Sequence, residues 1–111
     1  MKEDVVRHLR EADGLAPEEI PALYASFLRT LDGCLDTLRA AGDPPSFTAV
    51  RAATHAMMGF ARNVGAADLG DAALALNAAA HAADAAACRC GIREIESLCA
   101  AYRNEAPSAR T

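Results

Sequence analysis

The chain has 111 residues, 52% of them apolar, no tryptophan and a net charge of −4, which suits one domain with a single core and argues against disorder. Its eleven basic residues are scattered and form no stripe that a phosphate backbone would need, so nucleic acid is not an expected partner. The charged N-terminus lacks a signal-peptide core and the alanine-rich run is broken by Asp68, Asp71, Asn77, His81 and Asp84, so no membrane contact and a cytoplasmic setting are expected.

Alanine fills more than half the positions from Ala66 to Ala87, and strand-favouring residues are scarce. Alanine has the highest helix propensity and lets helix axes come close, so an all-α fold is expected across one domain, residues 1–111. A first short helix over residues 4–12, with Val5, Val6 and Leu9 apolar, ends at "DGLAP" and is expected to cap one end of the fold. Pro17, Glu18 and Glu19 suit the first turn of the second helix. Its apolar stripe runs Ile20, Leu23, Phe27, Leu31, Cys34 and Leu38, and "AGDPPS" closes it, with Gly42 available for the left-handed C′ position.

Ser46 is a plausible N-cap for the third helix, whose stripe is Phe47, Val50, Thr54, Met57, Ala61 and Val64, with Gly65 as its stop. The fourth is read from Leu69 through Ala73, Leu76, Ala80, Ala83 and Ala87 to a stop at Gly91. The fifth follows with Ile92, Ile95, Leu98 or Cys99, and Tyr102, fraying at "EAPSAR". Four amphipathic helices on short connections predict an antiparallel up-down four-helix bundle with a short N-terminal capping helix.

His55 lies roughly 130° from the mean direction of the third-helix stripe at 100° per residue, so it is expected to face water. Gly59 follows one turn later, although glycine within a helix costs about 1 kcal/mol relative to alanine. A missing side chain there opens space beside the imidazole, and Ala52 and Ala56 on the same face are also small. Arg51 one turn before and Arg62 two turns after, about 10 Å along the axis, are expected to put positive charge at both ends of the groove. Neutral imidazole is a nucleophile near cellular pH, and phosphoryl transfer asks mainly for positioning and charge stabilisation. No Gly-rich phosphate loop or GxSxG elbow is present.

The stretch "HAMMGFARNVGAADLGDAALALN" resembles the histidine-containing phosphotransfer domain. The matching positions are His55, Met57, Gly59, Val64, Gly65, Ala66 and Leu69, then Ala73 and Leu76. The resemblance implies a monomeric four-helix bundle in which His55 Nε2 accepts a phosphoryl group from the aspartate of one receiver domain and passes it to another. It implies a carrier without an ATP site or a cofactor of its own, the Mg²⁺ being supplied by the receiver, with a hybrid sensor kinase upstream. Arg51, Ala52, Met58, Gly59 and Arg62 are the expected phosphate or receiver contacts. The family's lysine three residues after the histidine is Met58 here, the serine at the second position after that lysine is Phe60, and the glutamate after the fourth-helix leucine is Asn77. Arg51 or Arg62 is the expected substitute for the lysine.

Two other readings compete. One is a non-phosphorylated adaptor that docks a receiver or kinase domain through Met57, Met58 and Phe60. The other is a metal site made by His81, Cys88 and Cys90, although the "CRC" pair is tighter than zinc spacing. The four cysteines otherwise read as thiols behaving as small hydrophobes, His8 as a solvated residue and His81 as a boundary residue among alanines.

Overall fold

A computed structural model describes residues 1–105, and within them every regular element is helical: α1 (Glu3–Glu11), α2 (Ile20–Ala40), α3 (Phe47–Val64), α4 (Ala67–His81) and α5 (Ala85–Asn104). The expected fraying at "EAPSAR" reaches only Glu105, a turn residue, and otherwise lies outside the described residues. The four long helices form a closed ring of contacts, α2 touching α3 and α5, and α4 touching α3 and α5. The short α1 lies against α2 and α3. Val5 and Leu9 bury themselves there while Val6 is half-buried, as a three-to-four spacing on one helix face dictates.

Local chemistry sets most of the boundaries. Ser46 caps α3 by accepting from the Ala49 amide, and Asp84 caps α5 by accepting from the Ala87 amide. Gly42 and Gly65 are both left-handed, with φ of +87° and +76°. At Gly65 the amide of Ala66 reaches back to the Ala61 carbonyl, 2.9 Å, which ends α3 in a Schellman-type turn.

Three expectations need correction. Helix α2 begins at Ile20, not at Pro17, because residues 17–19 form a turn held by Ala16 and Glu19, and Pro21 is the proline that takes the first helical positions. Its buried face uses Tyr24 and Leu35, leaving Leu23 37% exposed and Cys34 half-buried. The third correction is the largest: α4 stops at His81, ten residues before Gly91. Ala83 adopts a left-handed φ of +54° and the Asp84 amide bonds the Ala79 carbonyl at 3.0 Å, so an alanine makes the turn that glycine usually makes. Ala83 is accordingly exposed, and Ala87 belongs to α5.

Gly91 has another purpose. A Cβ there would sit 3.0 Å from Leu76 Cδ1 and 3.3 Å from Leu76 Cβ, so the glycine lets α5 press onto a fully buried leucine of α4. At the far end of the core, Phe27 stacks edge-on with Tyr24, Phe60 and Tyr102 at centroid distances of 5.4 to 5.9 Å. Phe60 of α3 thus has Phe27 of α2 as its aromatic partner.

Candidate functional site

The outer face of α3 follows from its inner one. Val50, Ala53, Thr54, Met57, Ala61 and Val64 are buried, which turns Arg51, Ala52, His55, Ala56, Gly59 and Arg62 to the surface. His55 is exposed as its helical-wheel position requires, and open space lies beside Gly59, where an added Cβ would meet nothing within 4 Å. The surface on the C-terminal side of the imidazole is therefore open.

On its other side His55 opens onto a groove between α3 and α4, lined by Thr48, Arg51, Ala52, His55, Asn77 and His81. None of those six residues is acidic, and among the described residues Arg51 has no carboxylate within ion-pair distance. Asn77 is fixed by Thr54, whose buried hydroxyl donates to Asn77 Oδ1 at 3.0 Å and also lies 2.9 Å from the Val50 carbonyl. This bond ties α4 to α3 at the residue next to His55.

Arg62 is not in that groove. It lines a second one, nearer α1, with His8, Met58, Gly65, Asp71 and Leu74 among its neighbours. The expectation of arginines at both ends of one groove is therefore half right: Arg51 shares the groove of His55, and Arg62 faces a more apolar cleft that also holds a carboxylate. The split is axial: seven helical steps bring the side chain back to within about 20° of the His55 direction but carry it about 10 Å along the axis, past the end of the His55 groove.

Other sequence-predicted residues fall as follows. Met57 is fully buried and cannot belong to a docking patch, whereas Met58 is half-buried at the lip of the second groove beside the 58%-exposed Leu74. His8 is half-buried, not simply solvated: its Cβ lies where a Gly65 side chain would project, and Nε2 is 3.8 Å from Asp13 Oδ1. Cys88 is buried and Cys90 exposed, and no group of three or more His, Cys, Asp or Glu residues that could hold a metal occurs among the described residues. His81, Cys88 and Cys90 are therefore not among any such group in the described residues.

His81 and Thr48 are groove residues that the sequence pattern did not single out for this site. The available signal was a pair of one-turn steps, Asn77 to His81 on α4 and Thr48 to Ala52 to Ala56 on α3, but only the α3–α4 pairing shows that the two rows meet.

A helical domain with an exposed imidazole on a rigid helix, opening onto a groove that holds an arginine and no carboxylate, has the form of a phosphoryl carrier. The sequence matches the family model of the Hpt domain over residues 22–105, and the chain belongs to the Hpt domain family. No curated protein and no solved structure matches it. Membership implies a phosphotransfer role in two-component signalling, with receiver domains of response regulators as the interacting class. Hpt domains in general are phosphocarriers, not kinases. No helix among the described residues is long and apolar enough to cross a membrane.

Proposed function

We propose that the protein is a phosphorelay intermediate in which His55 is the phosphoacceptor. The observation that supports this most is the conjunction of an exposed His55, clear space at Gly59 and an acid-free groove holding Arg51, all on α3 of an Hpt domain. The ring of helix contacts and the short connections are consistent with an antiparallel up-down bundle, which would hold α3 rigidly enough to act as a fixed docking wall.

The chemistry needs no cofactor bound to this chain. With the imidazole protonated at Nδ1, the Nε2 lone pair attacks the phosphorus of a receiver aspartyl phosphate. The new N–P bond forms as the P–O bond to the receiver carboxylate breaks, and the aspartate leaves with that electron pair. No proton has to move, since Nδ1 keeps its hydrogen and the ring carries the positive charge. Mg²⁺ held by the receiver would neutralise charge on the aspartate side, and Arg51 does so from this side. Reversal onto a second receiver completes the relay.

The receiver surface would cover Ala52, Ala56 and Gly59 and meet Met58 and Leu74 at its edge, with Arg62 as a rim contact. A monomer in the cytoplasm, supplied by a hybrid sensor kinase, fits this role. The test is incubation with an aspartyl-phosphorylated receiver domain. Acid-labile, alkali-stable label on the wild type and none on His55→Gln is the expected result. A receiver that binds both proteins and labels neither would favour the adaptor reading.

A further inference from the structure

Two grooves follow one another along the seam of α3 and α4, and they differ in chemistry. The one holding Arg62 also holds the carboxylate of Asp71 and the apolar side chains of Met58 and Leu74. The one holding His55 contains Arg51, His81, Asn77 and Thr48, a set with cationic and neutral donors and no carboxylate. An anion attached to His55 gains in the second setting and is opposed in the first.

His81 is the last residue of α4 and is exposed. The carboxyl end of α4 puts the partial negative charge of the helix dipole near this end of the groove, which by itself repels phosphate. A hydrogen-bond donor at the last position reverses that effect locally. Imidazole supplies one ring N–H when neutral and two when protonated, so His81 has a donor to offer in either form. Arg51 comes from α3 and His81 from α4, and both line the groove onto which His55 opens.

We infer that His81 is a phosphate-contacting residue, which with Arg51 holds the non-bridging oxygens of the phosphoryl group carried on His55 and so supplies charge stabilisation from α4. This rests on His55 being the acceptor. The inference assigns no bond-breaking step to His81: its ring donates hydrogen bonds to oxygen and remains unphosphorylated.

Phosphoramidate is a suitable probe because it delivers a phosphoryl group to imidazole directly, with ammonia leaving, and so removes receiver docking from the measurement. Labelling rate and the phosphorus NMR shift of the phosphohistidine are to be compared among wild type, His81→Ala, His81→Lys, His55→Gln and, as a charge control on α2, Arg29→Ala. A slowing of about 3- to 10-fold in His81→Ala, typical of one lost charge-assisted hydrogen bond at a solvated site, with a displaced phosphorus shift and recovery in His81→Lys, is the expected outcome. Arg29→Ala should match wild type, and thermal melts should be unchanged because His81 is exposed. Equal rates and an unmoved phosphorus signal in His81→Ala would overturn the inference while leaving His55 as acceptor. Label appearing on His81 in His55→Gln would overturn it in another way, by making that ring an acceptor. A wild type that takes no label on His55 would remove the phosphorelay reading and this inference together.

Discussion

Thr54 Oγ1 lies 3.0 Å from Asn77 Oδ1, and this single side-chain bond between α3 and α4 stands at the base of the His55 groove. Thr54 is fully buried and Asn77 half-buried, so neither group can recover its full hydration if the other is removed. Asn77→Ala and Thr54→Val are each expected to destabilise the fold by about 1 kcal/mol. Their double mutant should lose less than the sum, with a coupling of roughly 0.5 to 1.5 kcal/mol in urea unfolding. Strict additivity would show that the bond does not join the helices.

Gly59 separates stability from function. Nothing lies within 4 Å of a Cβ built there, so Gly59→Ala should stabilise the protein by about 0.5 to 1 kcal/mol through helix propensity. A bulky Gly59→Trp is expected to fold as well and yet to abolish transfer from a phosphorylated receiver, because the space beside His55 is then filled. Parallel melts and labelling assays distinguish the two effects.

Gly65 behaves oppositely. Its φ is +76° and an added Cβ would lie 2.3 Å from His8 Cβ, so Gly65→Ala strains the backbone and pushes α1 away. A loss of about 2 kcal/mol or more is expected. The clash is with the His8 Cβ itself, so His8→Ala should not rescue the variant. Ala83, at φ +54°, gives the converse case: Ala83→Gly relieves left-handed strain and should raise stability by about 1 kcal/mol in thermal or urea melts.

Alkaline pH should unfold the domain earlier than its surface charge suggests. Burial holds the Cys99 thiol up at about 11 against an ordinary 9.0, and burial followed by the hydrogen bond with Asp68 pushes Tyr102 upward from 10.0. Both groups keep their protons in the folded state while the unfolded chain gives them up. Stability from these groups is therefore intact below about pH 9 and falls as pH rises through the folded values, by roughly 3 kcal/mol for Cys99 alone. Cys99→Ala and Tyr102→Phe should each flatten the slope of unfolding free energy above pH 9.

Much of this architecture is legible in the sequence. The exposed position of His55 followed from the α3 stripe, and the stops at Gly42 and Gly65 from glycine's tolerance of positive φ, because both depend on local periodicity and local backbone sterics. The α4–α5 boundary was hidden because Ala83 makes the turn in a run of alanines, whose pattern offers no contrast between faces. Gly91 then drew the boundary to itself, although its absent side chain answers to Leu76 across the helix interface. Tyr24 displaced Leu23 from the core of α2 because its hydroxyl finds the Tyr102 carbonyl at 2.8 Å, a partner 78 residues away. The site divides in the same manner. Arg51 and His55 share one helix and a local spacing, whereas His81 and Asn77 join them only through the pairing of α3 with α4.

The most direct measurement is nitrogen–phosphorus coupling in NMR spectra of the protein after phosphorylation by a receiver domain, with histidine labelled at its ring nitrogens. A single coupled nitrogen, assigned to Nε2 of His55, is the predicted result. Coupling to His8 or His81 in its place, or a phosphorylated receiver that loses its group to water with no nitrogen in this protein coupled to phosphorus, would contradict the account.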